Sequence, residues 1–263
     1  MSTGKYIEKI VQKLKKNGFN RKSLLIKLFP PLKIKIDNCY FIVRASDNYT
    51  ERQMLFNRQF DEPNSIEILR NIMSGTAGTF MDIGVNCGAF LVPITKDLGV
   101  GGRTIGFEPN PVMHDRAAVN VRINGLADRV SLRCAAVSNR DGTMTLHLHP
   151  TNLGEASLAT HLDGASSSVD VEIVDLRRIL TEEVHARPLV LKMDIEGHEP
   201  EAILPVMQDC PDMALPDAIM IETANRRYWS ADIIPALAAR GYTVEFEGEG
   251  NHLFVRSATT IVG

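Results

Sequence analysis

Short apolar runs alternate with amphipathic stretches along this chain, and the alternation becomes regular after residue 79. Runs rich in Val, Ile and Leu predict buried strands, and apolar positions spaced by three or four residues predict helices. We expect strands at residues 79–83, 103–108, 129–137, 143–149, 170–174, 188–193, 217–222, 242–247 and 252–256. We expect helices at residues 4–28, 64–73, 89–98, 112–124, 175–182, 199–207 and 231–240. Strands that alternate with helices favour an α/β fold with a mostly parallel, doubly wound sheet.

Two short connections predict antiparallel pairs within this pattern. Residues 33–43 alternate around Asp37-Asn38, which indicates a hairpin. The last two strands are separated by residues 248–251, a connection too short for a parallel crossover, so the final pair must be antiparallel. Asn64 is the expected N-cap of the helix at 64–73. Residues 154–169 are rich in Ala, Ser and Gly without a clear period, and we expect a loop on the active-site side.

The charge of the chain is unevenly placed. The 263 residues are 44% hydrophobic and carry a net charge of −3, but residues 1–35 hold ten Lys or Arg and one acid, Glu8. The remaining residues hold 19 basic and 31 acidic side chains. An acidic body argues against non-specific binding of nucleic acid. We therefore divide the chain into a basic helical and hairpin extension, residues 1–44, and an acidic globular domain, residues 45–263.

The basic extension does not have the pattern of a secretory signal, because Lys22 and Lys27 interrupt its apolar run. A helix here would carry an apolar face opposite a lysine-rich face. The apolar face would be formed by Tyr6, Ile7, Ile10, Val11 and Leu14. Such a helix would pack on its own domain or on a second subunit of a homodimer. Alternatively, basic residues 5–35 would lie on an anionic membrane surface. The sequence leaves both interpretations open.

The cysteines are scattered and match no metal-binding spacing. They lie at Cys39, Cys87, Cys134 and Cys210, with no Cys-x-x-Cys pair among them. We interpret all of them as reduced thiols, which indicates a cytoplasmic protein.

A glycine-containing turn follows the strand at 79–83 and predicts a cofactor site. Its glycines, Gly84 and Gly88 on either side of Asn86, let a ligand approach the backbone. Glu108 ends the next strand, where a carboxylate accepts hydrogen bonds from ribose hydroxyls. The turn lacks the Gly-x-Gly-x-x-Gly spacing of nicotinamide sites. Asp82 would repel a pyrophosphate and attract an amino group instead. A ligand with both a ribose and an ammonium group is S-adenosylmethionine.

A second polar cluster surrounds the end of the strand at 188–193. Lys192 lies within that strand, Asp194, Glu196 and His198 follow it, and Glu222 ends the next strand. Methyl transfer to a protic group requires a base that takes the proton, so the carboxylates and the histidine are candidate bases. Lys192 would stabilise the developing oxyanion. Asp194 and Glu222 end strands that we expect to be neighbours, and they would alternatively bind Mg²⁺.

The same residues also have structural interpretations. Glu196-Gly197 would form a turn, with Glu199 capping the helix that follows. Lys192 would pair with an internal carboxylate. His198 would be a solvated residue at the start of the helix.

In combination, the motifs resemble those of the FkbM family of S-adenosylmethionine-dependent methyltransferases. The resemblance covers about residues 45–256, and the matching segments are 82–88, 106–111, 124–126, 152–154 with Ser157, and 191–199. It implies a class I methyltransferase (Rossmann-like) sheet of seven strands with the last strand antiparallel. It also implies S-adenosylmethionine as cofactor, held by Asp82, Gly84, Asn86, Gly88, Glu108 and Asn110.

The resemblance further implies O-methylation of a hydroxyl on a sugar or natural-product small molecule. Two alternatives are a methyltransferase of another class that acts on nucleic acid, and an inactive cofactor-binding module. The acidic body and the lack of an Asn-Pro-Pro-Tyr-type motif disfavour the first. The inactive module is disfavoured because the candidate catalytic carboxylates and Lys192 are all present. We expect loops near 45–60, 150–170 and 223–231 to form the acceptor pocket, but they do not identify the acceptor.

Overall fold

The computed structural model describes residues 30–149, 151–158, 167–184 and 186–257. Its strands are β1 Leu32–Ile36, β2 Cys39–Val43, β3 Thr79–Ile83, β4 Arg103–Phe107, β5 Val130–Arg133, β6 Ala136–Ser138, β7 Gly142–Leu148, β8 Ser167–Asp175, β9 Leu189–Met193, β10 Ala218–Glu222, β11 Tyr242–Gly248 and β12 Asn251–Arg256. Its helices are α1 Tyr49–Asn57, α2 Pro63–Met73, α3 Leu91–Asp97, α4 Pro111–Ile123, α5 Leu176–Arg178, α6 Glu199–Asp209 and α7 Ile234–Ala239. A π-helical turn, Ile179–Glu183, continues α5. The predicted helix at 4–28 lies outside the described residues.

Seven strands form one sheet in the order β11-β12-β10-β9-β3-β4-β5. Strands β5, β4, β3, β9 and β10 pair in parallel, whereas β12 is antiparallel to both β10 and β11. The predicted seven-stranded sheet with an antiparallel last strand is therefore confirmed. Gly248 pairs with Asn251, so Glu249 and Gly250 form a two-residue turn. Their φ values of 55° and 80° are those that a type I′ hairpin turn needs.

Alternate residues of the central strands point to opposite faces of the sheet, and helices cover both faces. Phe80 joins the core formed with α2, α3, α4 and the β1–β2 hairpin, and Met81 joins the core formed with α6 and α7. Both side chains are fully buried. Burying a side chain of this size contributes about 1.5–3 kcal/mol. Burial on both faces explains why these strands appear in the sequence as continuous apolar runs.

The hairpin at residues 33–43 is confirmed, and a helix that the pattern did not predict follows it. Ile36 pairs with Cys39 across the Asp37-Asn38 turn. Helix α1 then begins after Asn48, whose side chain accepts a hydrogen bond from the Glu51 N–H at 2.8 Å.

The predicted strand at 129–137 is wrong as a single strand. Strand β5 ends at Arg133 in the main sheet, and β6 begins at Ala136 in a second sheet of order β6-β8-β7. The apolar pattern continues across the break, because residues on both sides are at least partly buried. Burial alone does not reveal which sheet a residue joins, and the break brings residues 135–137 towards the ligand edge of the main sheet.

Two further boundaries differ from the sequence prediction. Residues 167–169 belong to β8 rather than to the expected loop at 154–169, and residues 159–166 lie outside the described part. The helix expected at 175–182 is a short α-helix, 176–178, followed by the π-helical turn. In both places, too few positions alternate between buried and exposed for the sequence to indicate where the strand begins or how far the helix extends.

The N-cap predicted for α2 is also wrong. Glu62 occupies the cap position without a side-chain cap bond, and Asn64 lies inside the helix. The carboxylate of Glu249, from the β11–β12 turn, accepts the N–H groups of Asn64 and Ser65 at 3.2 and 2.8 Å. A cap supplied from 185 residues away in sequence has no local signal.

Candidate active site

A cavity of about 230 Å³ opens at the carboxyl ends of β3, β4, β9 and β10. Ligands bind at this edge in doubly wound folds. Its wall combines apolar side chains with ionisable side chains, and most of the ionisable side chains are acidic. The ionisable side chains on the wall, apart from Tyr49, are Asp61, Glu62, Glu108, Asp194, Glu196, Glu222 and His198.

The glycine-containing turn forms one side of the cavity. Gly84 has a φ of +85°, and a Cβ at this position would lie 1.8 Å from the carbonyl oxygen of Asp194, so a side chain cannot be accommodated. The Asn86 N–H donates to Glu108 Oε2 at 2.6 Å, and the Asn110 N–H donates to Glu108 Oε1 at 2.9 Å. Each oxygen of Glu108 keeps a further acceptor position. Burial raises the pKa of Glu108 to about 7.

Three of the residues predicted to hold the cofactor lie behind the wall rather than on it. Asp82 is fully buried, and no hydrogen bond of good geometry reaches its carboxylate oxygens. Gly88 supports the turn, with its N–H donating to the Val85 carbonyl at 2.9 Å. Asn110 caps α4 by accepting from the Val112 N–H at 3.1 Å. These positions shape the turn and the strand ends that line the cavity.

Lys192 connects the two motifs from behind the wall. Its ammonium donates to the Gly84 carbonyl at 3.1 Å and to Asp194 Oδ2 at 3.3 Å, and it lies 3.8 Å from Asp82 Oδ1. Burial alone would lower the pKa of Lys192, but the carboxylates of Asp194, Asp82 and Glu62 outweigh burial and raise it. The side chain is therefore a charged cross-link between β9 and the turn after β3.

Glu196 and Glu222 both contact the side-chain amide of Asn225. The Asn225 Nδ2 donates to Glu196 Oε2 at 2.7 Å and lies 3.3 and 3.2 Å from the two oxygens of Glu222. Burial, followed by repulsion from Asp194 and other carboxylates, raises the pKa of Glu196 to about 8 and that of Glu222 to about 9. The predicted adjacency of Asp194 and Glu222 is confirmed, because β9 and β10 pair in parallel.

His198 lines the cavity, but both its ring nitrogens face protein groups. Its Nε2 lies 2.9 Å from Ser138 Oγ, and its Nδ1 lies 3.7 Å from Glu201 Oε2. Burial lowers the pKa of His198, which favours the neutral ring. Glu199 has a structural role, since it accepts the Ile195 N–H and the Trp229 indole N–H, each at 2.9 Å.

The cavity also contains acidic residues that sequence reasoning missed. Asp61 and Glu62 precede α2 and line the wall. Burial raises the pKa of Glu62 to about 7, while Asn251 donates to it at 2.6 Å. Their contribution depends on how α2 docks against β12, and a loop that precedes a helix gives no sequence signal for that docking.

Two of the three regions expected to form the acceptor pocket do line the cavity, but the first is not a loop. Tyr49 and Thr50 begin helix α1, whereas Asn152, Gly154, Ala156 and Leu158 come from the second region. Gly154 lies so close to the turn that a Cβ would be 2.5 Å from Asn86 Nδ2. The third region contributes indirectly, because Asn225 orients Glu196 and Glu222.

The described residues contain no group of three or more His, Cys, Asp or Glu side chains arranged to hold a metal ion. Within the same ranges, no helix is both long and apolar enough to cross a membrane. All four cysteines are free thiols, with Cys39, Cys87 and Cys210 buried and Cys134 exposed.

The class I methyltransferase fold is defined by this order of strands, by the antiparallel last strand and by a cavity at the carboxyl ends of the parallel strands. The chain matches the family model described as the methyltransferase FkbM domain over residues 82–244. The chain therefore belongs to the FkbM methyltransferase family.

Comparison with solved structures gives distant matches. An FkbM methyltransferase from Methylobacillus flagellatus KT is 15% identical, with 78% of this chain and 52% of that chain covered and a TM-score of 0.45. An O-methyltransferase from Bacillus cereus in complex with SAH is 16% identical, with coverages of 74% and 81% and a TM-score of 0.44. An RNA methyltransferase from Salinibacter ruber in complex with S-adenosyl-L-homocysteine is 12% identical, with coverages of 74% and 92% and a TM-score of 0.38. No curated protein matches the sequence.

Proposed function

We propose that the protein is an S-adenosylmethionine-dependent O-methyltransferase that methylates a hydroxyl of a sugar or natural-product small molecule. The observation that carries this proposal is the cavity of an FkbM-family chain, with Glu108 on one side and Asp194 on the other. The wall fits the donor, because S-adenosylmethionine carries a sulfonium and an ammonium group and the wall is predominantly acidic. When bound, the donor supplies an activated methyl group.

Glu108 is the residue proposed to hold the ribose. Its two oxygens are already oriented by the N–H groups of Asn86 and Asn110. The remaining acceptor positions would take the two ribose hydroxyls. Asp82 would act from behind the wall, through Lys192, which fixes the carbonyl of Gly84. Gly88 and Asn110 would fix the backbone on which the donor rests.

Asp194 is the proposed proton acceptor. It lies on the wall with its carboxylate held by Lys192 at 3.3 Å, whereas both ring nitrogens of His198 face Ser138 and Glu201. A base of this kind removes the hydroxyl proton as the methyl group is transferred in line. Glu196 and Glu222 would assist from the same edge, and Lys192 would act through Asp194.

Mg²⁺ bound by Asp194 and Glu222 is the alternative way to activate the hydroxyl. We propose direct base catalysis, because the ammonium of Lys192 lies 3.3 Å from Asp194 Oδ2 and would compete with a metal ion for that carboxylate. Treatment with EDTA separates the two. Activity that is lost and then restored by Mg²⁺ would favour the metal, and unchanged activity favours the base.

Nucleic acid is not the proposed acceptor. A wall with several carboxylates would repel the phosphates that supply most of the affinity in nucleic-acid binding. The free thiols support a cytoplasmic location.

Calorimetry with S-adenosylhomocysteine and NAD tests the cofactor. We expect micromolar binding of S-adenosylhomocysteine and none of NAD. Glu108→Ala should weaken binding by about 1.5–3 kcal/mol, the scale of charge-assisted hydrogen bonds. Glu172→Ala, an exposed change on β8, is the control and should have no effect. Tight NAD binding without a response to S-adenosylhomocysteine would exclude the proposal.

Labelled S-adenosylmethionine tests the reaction. Transfer of label to hydroxyl-bearing small molecules, and not to RNA, is the expected result. Label on RNA would favour the nucleic-acid alternative. Cofactor binding without transfer to the true acceptor would favour an inactive module.

A further inference from the structure

The cavity contains more carboxyl groups than the proposed donor can pair with. Six carboxylates line the wall, and no Lys or Arg of the described residues does so. S-adenosylmethionine brings a sulfonium, an ammonium and a carboxylate, which leaves one net positive charge. Glu108 is engaged by backbone N–H groups and by the ribose of the donor. Several half-buried carboxyl groups therefore remain without a partner from the donor.

Lys192 does not remove this excess. Its ammonium group is buried behind the wall and already contacts Asp194, the Gly84 carbonyl and Asp82. Asp194 is thus compensated from within the protein, but Glu196 and Glu222 have a neutral partner, the Asn225 amide. A neutral donor fixes the orientation of two carboxyl groups without balancing a charge on them, so in the ligand-free protein both groups tend to hold their protons, in line with their raised pKa. A cation that bound between them would take the place of those protons.

Glu196 and Glu222 also lie where the acceptor must be. They follow β9 and end β10, next to Asp194, and the ribose-binding Glu108 lies on the other side of β3, at the end of β4. The donor therefore occupies the β3–β4 side of the edge, and the two glutamates face the side left for the acceptor.

We propose that the acceptor carries a protonated amine near the methylated hydroxyl, and that Glu196 and Glu222 bind this amine. The chemical class is an amino-polyol, such as an amino sugar or an aminocyclitol. An ammonium group has three donors, which matches two carboxylates oriented side by side by one amide. This inference rests on the proposed methyltransferase function and adds the substrate class.

An amine explains the wall better than the other cations and ligands considered. Within the described residues, no group of three or more His, Cys, Asp or Glu side chains is placed to hold a metal ion. Acidic or phosphorylated acceptors would meet several carboxylates without a neighbouring cation. An amine both supplies the missing charge and fits a neutral orienting amide.

The experiment uses the full chain saturated with S-adenosylhomocysteine and a panel of amino-polyols, each paired with its N-acetylated form. D-glucosamine with N-acetyl-D-glucosamine, and 2-deoxystreptamine with its N-acetylated form, are the first pairs. Acetylation removes the charge and keeps the hydroxyls. We expect free amines to bind about 10- to 100-fold more tightly than their acetylated forms by calorimetry. The same preference should appear in methyl transfer from labelled donor.

Variants assign the preference to the two glutamates. Glu222→Gln and Glu196→Gln remove a charge and keep the shape, so each should reduce the amine preference by about tenfold. Affinity for S-adenosylhomocysteine should stay as in the wild type. Glu172→Gln, which removes one exposed charge on β8, is the control and should preserve the preference.

Equal affinity within every pair, or no binding of any amine at millimolar concentration, would overturn the inference. A preference that survives both glutamine variants would also overturn it. These results differ from failure of the proposed function, which would appear as no binding of S-adenosylhomocysteine at all.

Discussion

Asp194 combines a half-buried position on the cavity wall with a fixed internal cation, the ammonium of Lys192. Asp194→Asn keeps size and most hydrogen bonding but removes the charge that takes the proton. Turnover should fall by about 10²–10⁴-fold, the range for loss of a general base. Affinity for S-adenosylhomocysteine should stay nearly unchanged, which calorimetry on the same preparation checks. Asp170→Asn, on the exposed face of β8, is the control. Near wild-type turnover of the variant would shift the role of base to another group, with His198 the next to change.

Glu222 should make the free energy of unfolding fall as pH rises, whereas a carboxylate with a lowered pKa makes it rise. Its folded pKa of about 9 lies above the ordinary value of 4.5, because of burial and repulsion from Asp194. The folded state therefore binds the proton more tightly than the unfolded state. The stabilisation is complete below pH 4.5 and is lost as pH rises towards 9.

Glu222→Gln should remove this loss. The free energy of unfolding of the variant minus that of the wild type should become about 1–3 kcal/mol larger when the pH is raised from 5 to 8. Urea denaturation of the ligand-free proteins across that range measures the difference. A difference that does not vary with pH would show that Glu222 ionises normally.

At the residue scale, sequence motifs predict which segments line the cavity better than they predict how deeply its charged side chains are buried. Gly84 in the turn and Glu108 at the strand end do line the cavity, and their contacts with a cofactor stay predictions. Asp82 and Lys192 are predicted to contact the ligand, yet both are buried behind the wall. Strand alternation predicts burial but not the depth of a polar side chain behind a ligand edge. Glu62 reaches the site through tertiary packing alone.

At the scale of elements, the cap of α2 offers a test of a long-range contact. Glu249→Ala keeps the Cβ in its left-handed turn and removes the carboxylate that accepts from Asn64 and Ser65. The free energy of unfolding should fall by about 1–2 kcal/mol, as for loss of an N-cap. Glu247→Ala, an exposed change on the same hairpin, is the control and should change stability little.

Retained stability in Glu249→Ala would mean that water or Glu62 satisfies the first N–H groups of α2 equally well. Guanidinium denaturation of both variants at neutral pH distinguishes these outcomes. Amide hydrogen exchange at Ser65 gives the local reading, because its N–H would lose protection first.

Elements with a strong hydrophobic period were predictable, and elements that depend on partners were not. Strands β3 and β9 appear as uninterrupted apolar runs because both faces of the sheet are covered. Helix α1 has a buried glutamate, Glu51, on its inner face, so its sequence lacks an apolar stripe. The break between β5 and β6 has no hydrophobic signal either, because partly or fully buried residues lie on both sides of it and only the pairing partners show that each piece joins a different sheet.

At the scale of the whole molecule, the basic extension is predicted to be separate from catalysis. The predicted cofactor-binding residues begin at Asp82, so deletion of residues 1–28 should leave the affinity for S-adenosylhomocysteine unchanged. Calorimetry on the truncated, folded protein measures it. A lost cofactor site would refute this prediction.

The same deletion separates the two interpretations of the extension. Salt-sensitive pelleting with anionic vesicles that disappears on deletion would support a membrane contact. A change from dimer to monomer in sedimentation would support a subunit contact. The predicted division into residues 1–44 and 45–263 stays a prediction.

The position of β12 between β10 and β11 has a consequence for the order in which the molecule assembles. In the described sheet, β11 pairs with β12 alone, so β11 joins the sheet together with β12 or after it. Docking brings the Gly250 carbonyl to the N–H groups of Thr223 and Ala224, directly after Glu222, and brings Glu249 to α2. The last strand in sequence therefore completes the side of the cavity proposed to take the acceptor, whereas the first strands of the sheet carry the side proposed to take the donor. A chain still being synthesised would acquire the residues proposed to hold the nucleoside before it completes the place proposed for the molecule to be methylated.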